Sequence, residues 1–114
     1  MVQAGAPADN LAMKVNLFIS ARKLPDKDTF SKSDPICTIY ERHGGRWVKI
    51  GSTEQIKNNL SPDWRTSFTL NYYFEKKQEL RFKIIDDDGA GESDFLGEME
   101  TTLGQIMGAR AQTF

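Results

Sequence analysis

Five aspartates fall in two clusters, and each cluster follows a segment in which hydrophobic and polar residues alternate. One cluster holds Asp28 and Asp34, and the other holds Asp86, Asp88 and Asp94. Alternation with period two is typical of half-buried β-strands, so the aspartates are expected on loops at strand ends. If both loops lie at the same end of a β-sandwich, the carboxylates converge and repel one another strongly. Bound cations would relieve that repulsion.

The donor atoms in both clusters are carboxylate oxygens on loops, which suit Ca²⁺ better than Zn²⁺ or a transition metal. An EF-hand loop fits the second cluster only in part. Asp86, Asp88 and Gly91 match its first, third and sixth positions, but Ala90 stands at the fifth. Gly97 stands at the twelfth position, where a bidentate glutamate is needed. The second cluster is therefore a partial calcium site that needs ligands from the first.

Short strands are the elements that must position these loops. Apolar residues recur at every second position in several segments, and turn signals such as His43-Gly44-Gly45 separate the segments. Hardly any segment has the helical period, so the pattern predicts an antiparallel β-sandwich. After the second cluster, Phe95 and Leu96 are expected to re-enter the core. Strands are predicted over 13–20, 36–41, 47–56, 64–72 and 80–85, with a helical turn over 102–107.

The length of 114 residues predicts one domain, over 11–114, after a disordered segment at 1–10. The net charge is -1 and the acids concentrate in the two loops, so no nucleic-acid partner is expected. The single cysteine, Cys37, cannot form an intramolecular disulfide and is expected to be buried in a strand, which favours the cytosol. The N-terminal stretch has no signal-peptide pattern, and no apolar run is long enough to span a bilayer.

Three motifs carry a resemblance to a known family. Ser33-Asp34-Pro35, the Asp86-x-Asp88 pair and the run from Asp94 to Glu98 resemble the signature of a C2 domain. More narrowly, the segments 17–35, 53–64 and 94–106 are similar to the first C2 domain of a copine. The resemblance implies an all-β, antiparallel Greek-key sandwich with the type II strand order. In that order the final strands follow the 97–107 region. Because the sequence stops at Phe114, the domain is expected to lack its last one or two strands.

The resemblance also implies which atoms hold calcium. Asp is a common turn residue, and turn chemistry alone is the alternative explanation for both clusters. Because Gly91 stands where some C2 domains have a serine ligand, about two ions are expected rather than three. The implied ligands are the carboxylates of Asp28, Asp34, Asp86, Asp88 and Asp94 and the backbone carbonyls of Lys27 and Asp87.

A calcium site at a loop tip predicts membrane binding. Lipid oxygens can complete the coordination, and the ions cancel negative charge that faces an anionic surface. The expected protein is cytoplasmic and moves to the plasma membrane and other membranes when calcium rises. Phe30 and Lys32, in the first loop, are expected to contact the membrane. Lys49, Lys57 and Arg65 are expected to form either a basic strand face that binds phosphoinositide or a solvated sheet face.

Two other functional classes compete with this prediction. A C2 domain can act through protein partners without calcium, using its strand faces. A metal-dependent enzyme built on the Asp86-x-Asp88 pair would need a nucleotide pocket and usually a larger α/β scaffold, and the sequence indicates neither. Trp64 is expected in the core, and His43 is expected to be a solvated loop residue without a catalytic role. We therefore predict a calcium-dependent phospholipid-binding module that is not an enzyme.

Overall fold

The structure is a computed structural model that describes residues 12–26, 33–87 and 93–109. The predicted disordered segment at 1–10 lies outside these residues. The described elements are six strands and one short helix: β1 (Met13–Ser20), β2 (Pro35–His43), β3 (Arg46–Ser52), β4 (Asp63–Tyr72), β5 (Glu79–Asp87), β6 (Ser93–Thr102) and α1 (Leu103–Gly108).

The strands form two antiparallel sheets, which confirms the predicted all-β sandwich. One sheet pairs β1 with β4, and the other has the order β3-β2-β5-β6. The β2–β3 hairpin turns at Gly44 and Gly45, with φ values of 57° and 81°. Positive φ at both central positions suits the right-handed twist of the paired strands, and glycine adopts it without steric cost.

The core lies between the two sheets. Cys37 and Ile39 face inward from β2, and Trp64 faces inward from β4, as predicted for Trp64 and Cys37. Burial raises the pKa of the Cys37 thiol to about 12. The buried hydrophobic cluster contains Leu17, Cys37, Ile39, Trp64, Leu80, Phe82 and Leu103.

The predicted helical turn is confirmed as α1, which begins with a capping box. The Thr102 hydroxyl accepts from the Gln105 backbone N–H (3.1 Å), and the Gln105 side chain accepts from the Thr102 N–H (3.3 Å). Reciprocal bonds of this kind satisfy backbone donors that the first helical turn leaves unpaired. No helix in the described part of the chain has the length and apolarity needed to cross a bilayer.

Two sequence-based assignments of strands were wrong. The predicted strand 47–56 ends at Ser52. Thr53 and Ile56 still donate to the carbonyls of Cys37 and Pro35 in β2, but the chain advances three positions there while β2 advances two, so the regular pairing stops. β6 was not among the predicted strands. Its residues Glu98, Met99 and Glu100 are all exposed, so the strand lacks a clear alternation of apolar and polar positions.

The prediction that Phe95 and Leu96 both re-enter the core was half wrong. Leu96 is 6% exposed, but Phe95 is 54% exposed. Successive residues of a strand point to opposite faces, so the two cannot share one side. A register shift between Ile84 and Ile85 places Phe95 opposite Ile85, on the outer face of the four-stranded sheet.

One edge of the two-stranded sheet is open in the described part of the chain, where β1 pairs only with β4. A groove of about 410 Å³ runs beside β1 and is lined by Leu17, Ile19, Phe82, Ile84 and Ile106 among others. The predicted type II strand order and the predicted lack of the last one or two strands concern the chain after α1, of which the structure describes only Ala109, so both stay predictions.

Candidate calcium and membrane site

Three of the predicted calcium ligands lie at one end of the four-stranded sheet. Asp34 directly precedes β2, Asp86 lies near the end of β5, and Asp94 lies near the start of β6. Pro35 pairs with Asp86, and Asp86 pairs with Asp94, so the three aspartates occupy neighbouring strands. We call this region, with the loops that start there, the aspartate end.

The Asp87 carbonyl, a fourth predicted ligand, also lies there, at the end of β5. Five further predicted contacts fall outside the described residues, in segments 27–32 and 88–92: Asp28, Asp88, the carbonyl of Lys27, Phe30 and Lys32. Both segments join the described chain at the aspartate end. Segment 27–32 leads into Ser33, and segment 88–92 connects Asp87 with Ser93, which are paired across β5 and β6. The described His, Cys, Asp and Glu side chains alone do not form a group of three able to hold a metal.

Asp86 is a buried carboxylate, only 2% exposed. Its Oδ1 accepts a hydrogen bond from the Asp34 backbone N–H (3.0 Å). Within the ranges that the structure describes, no lysine, arginine or histidine forms an ion pair with it. A buried carboxylate is costly unless a positive charge or several donors compensate it. An oxygen-only donor set of this kind fits a calcium ion.

Asp34 is held from the β3–β4 connection. Its Oδ1 accepts from the backbone N–H of Asn58 (2.7 Å), and Asn58 has a φ of 52°. Asparagine tolerates this left-handed conformation better than most residues, which explains its place at this turn. The carboxylate of Asp34 is therefore fixed at the root of the first loop.

Gln55, in the same connection, links the roots of both loops. Its Nε2 donates to the backbone carbonyl of Asp34 (3.1 Å) and to that of Asp87 (2.6 Å). The Asp87 carbonyl was predicted as a ligand, and a carbonyl oxygen has two lone pairs with which it can serve an amide and a cation together. Sequence reasoning missed Gln55, because the strand predicted over 47–56 left no reason to place it near either loop.

Glu54 fastens this connection to β4. Its carboxylate accepts from the backbone N–H of Arg65 (2.6 Å) and from the N–H and hydroxyl of Thr66 (3.1 and 2.7 Å). The backbone bond from Arg65, followed by the hydroxyl bond from Thr66, lowers the pKa of Glu54 to about 2. The β3–β4 connection, which carries Gln55 and donates a hydrogen bond to Asp34, is thus attached to the two-stranded sheet.

Comparison with known proteins gives a family for this geometry. The family model of the C2 domain matches residues 13–114. The chain belongs to the C2 domain family. It is also 43% identical over 101 residues to Copine-E of Dictyostelium discoideum, a match that covers 82% of this chain. The resemblance to a copine C2 domain predicted from the sequence is confirmed. This C2 domain spans 17% of the length of Copine-E.

Solved structures agree with the fold. The BON1-C2B structure matches 92% of this chain and 75% of its own with a TM-score of 0.69 and 21% identity, which shows the fold alone. The two C2 domains of extended-synaptotagmin 2, solved with calcium bound, match 85% of this chain with a TM-score of 0.63 and 31% identity. This C2 domain spans 36% of that chain.

The three basic residues predicted to share a strand face do not share one in this C2 domain. Lys49 lies in β3 of the four-stranded sheet, Lys57 lies in the turn before β4, and Arg65 lies in β4 of the other sheet. The prediction of a single basic face was wrong because strand periodicity does not reveal which sheet a strand joins.

Lys49 instead belongs to the outer face of the four-stranded sheet. Tyr40 pairs with Lys49 on one side and with Arg81 on the other. The Arg81 guanidinium lies 4.4 Å from the centre of the Trp47 ring and 2.8 Å from a Glu100 oxygen. Stacking and ion pairing therefore hold Arg81 in place, whereas no ion pair involves Lys49 among the described residues.

His43 also differs from its prediction in detail. It is the last residue of β2 rather than a loop residue, and its exposed ring lies 3.1 Å from the Glu41 carboxylate. Its position is far from the aspartate end, because β2 begins there at Pro35.

Proposed function

We propose that this C2 domain binds calcium at the aspartate end and, in that state, attaches to membranes that contain anionic phospholipids. The observation that carries the proposal is the buried carboxylate of Asp86, between Asp34 and Asp94 on neighbouring strands and without an ion pair in the described part of the chain. The 31% identity to extended-synaptotagmin 2, whose C2 domains were solved with calcium bound, supports it.

The proposed ligands are those implied by the sequence. Asp34, Asp86 and Asp94 supply carboxylates from the described strands, and Asp28 and Asp88 supply carboxylates from the adjoining segments. Backbone carbonyls of Lys27 and Asp87 complete the set. Calcium supplies positive charge and coordination positions that phosphate or carboxylate oxygens of lipids can fill.

Membrane attachment follows from electrostatics in this proposal. Five carboxylates repel an anionic surface, and about two divalent cations cancel most of that field without a change of fold. Phe30 and Lys32 are proposed to contact the lipid, and Lys49 is proposed to add attraction for anionic headgroups, including phosphoinositides, from the outer face. The module would then carry a cytoplasmic protein to the plasma membrane and other membranes, without catalysing a reaction.

Liposome co-sedimentation across a calcium titration tests the proposal. Vesicles of phosphatidylcholine with phosphatidylserine should bring down the wild-type chain in calcium, but not in chelator or in magnesium. Asp86→Asn should abolish this binding, because losing one anionic ligand weakens every ion that shares the site. Sedimentation of Asp86→Asn at the wild-type calcium concentration would sink the proposed site.

Two control variants separate the site from the general surface. Glu75→Gln removes a carboxylate from the exposed turn between β4 and β5, at the opposite end of β5 from Asp86, and it should sediment like wild type. Lys49→Ala should raise the calcium concentration needed on phosphoinositide vesicles, whereas Lys57→Ala should not. No calcium-dependent sedimentation of the wild-type chain, together with a protein-partner interaction that does not require calcium, would instead favour the calcium-independent class, in which strand faces engage partners.

A further inference from the structure

Gln55 occupies a special place at the aspartate end because it lies on neither of the two aspartate loops. It comes from the connection between β3 and β4, and its side chain is half-buried. Its amide nitrogen has two hydrogens, and both have acceptors: the carbonyl of Asp34 at 3.1 Å and the carbonyl of Asp87 at 2.6 Å. One nitrogen atom therefore holds both loop roots.

The two carbonyls belong to residues at the roots of the two aspartate loops. Asp34 follows segment 27–32 after one residue, and Asp87 directly precedes segment 88–92. Asp34 and Asp87 are far apart in sequence. The Asp34 carboxylate and the Asp87 carbonyl are both proposed calcium ligands. Because one amide bonds to both carbonyls, it fixes how far apart the backbones of Asp34 and Asp87 stand.

The amide is itself anchored. Its neighbour Glu54 accepts three hydrogen bonds from Arg65 and Thr66 in β4. Two backbone bonds, from Ile56 to the Pro35 carbonyl (3.2 Å) and from Asn59 to the Ser33 carbonyl (3.0 Å), hold the connection against the start of β2. Gln55 thus projects from a segment fixed on both sides.

We infer that Gln55 is a positioning residue for the calcium site: without contacting the ion, it sets the distance between the backbones of Asp34 and Asp87, both proposed to carry calcium ligands, and so the calcium affinity. This inference rests on the proposed function. Groups that orient metal ligands typically change metal affinity by about 10- to 100-fold when they are removed. Loss of the Gln55 amide, which bonds to the roots of both loops, should change the calcium affinity within that range.

Gln78 provides a matched control. Its side chain also makes two hydrogen bonds to the backbone, donating to the Asn71 carbonyl (2.7 Å) and accepting from the Tyr73 N–H (2.9 Å). It directly precedes β5, whereas Asp87 is the last residue of that strand, so it lies at the opposite end of the sheet. Gln78→Met and Gln55→Met therefore remove the same number of bonds with the same change of side chain.

The test is isothermal titration calorimetry with calcium chloride alone, without lipid, together with thermal melts in chelator. Gln55→Met should lower the calcium affinity about tenfold, and Gln78→Met should leave it unchanged. Gln55→Asn keeps the amide but is one methylene shorter, so it can reach only one carbonyl and should give an intermediate affinity. Melts in chelator should show similar losses of stability for Gln55→Met and Gln78→Met.

The outcomes separate the inference from the proposed function. If the wild-type chain shows no calcium binding, the proposed function fails and the inference fails with it. If the wild-type chain binds calcium and Gln55→Met binds equally well, only the inference is overturned. Equal loss of affinity in Gln55→Met and Gln78→Met would also overturn it, because a general loss of stability would then explain both.

Discussion

Asp86 is buried and has no ion pair among the described residues. One of its oxygens accepts from the Asp34 N–H, and the side chain is 2% exposed. A carboxylate in this setting is costly for the calcium-free fold, yet it is what a divalent cation needs. The Asp86 charge therefore lowers the stability of the calcium-free fold and raises the affinity for calcium.

This opposition predicts different effects for two substitutions in calcium-free buffer. Asp86→Asn keeps an oxygen that can accept from Asp34 and removes the buried charge, so the free energy of unfolding should stay equal or rise. Asp86→Ala removes the charge as well but leaves the Asp34 N–H without its acceptor, so it should be less stable than Asp86→Asn by about 1–3 kcal/mol. Urea denaturation in chelator measures both. A clear destabilisation by Asp86→Asn would show that the buried charge carries no cost.

The β3–β4 connection is the element that sequence periodicity described least well. The pattern extended β3 to residue 56, but residues 53–59 hold the roots of the aspartate loops through Gln55 and Asn58. Alternation predicts a strand from local spacing, and it contains no information on bonds to chain segments distant in sequence. The placement of Asp34, Asp86 and Asp94 at one end of the four-stranded sheet was predictable, because it needs only strand ends and a sandwich.

Glu54 should make the attachment of this connection depend on pH. Its folded pKa of about 2 lies below its ordinary value of 4.5, because hydrogen bonds from Arg65 and Thr66 favour the charged carboxylate. A group with a lowered folded pKa stabilises the fold fully above its unfolded pKa. That contribution is lost as the pH falls from about 4.5 towards 2.

Glu54→Gln should therefore be clearly less stable than wild type at neutral pH, and the difference should shrink as the pH falls below 4.5. Urea denaturation at a series of pH values measures it, over the range where both chains stay folded. Glu75→Gln, an exposed position in the turn between β4 and β5, is the control and should leave stability unchanged at every pH. A Glu54→Gln deficit that is independent of pH would contradict the assignment.

At the scale of the whole molecule, charged residues are unevenly distributed over the four-stranded sheet. Asp34, Asp86 and Asp94 lie at one end of the sheet. The outer face, from that end to the β2–β3 hairpin, carries the basic residues Lys49, Lys83, Arg42 and Arg81. The sandwich and its family were predictable from motif and period. The separation of Lys49 from Arg65 was not, because it depends on which sheet each strand joins rather than on the local pattern.

Differential scanning calorimetry of the chain across calcium concentrations tests the central claim, that the folded aspartate end is a calcium site. A ligand that binds only the folded state stabilises it, by about 2.7 kcal/mol per independent site at a hundred times the dissociation constant. We therefore predict that the melting temperature rises steadily with calcium. Equal magnesium should have much less effect, because Mg²⁺ requires a tighter octahedral shell. A single melting temperature in chelator, magnesium and saturating calcium would contradict the account.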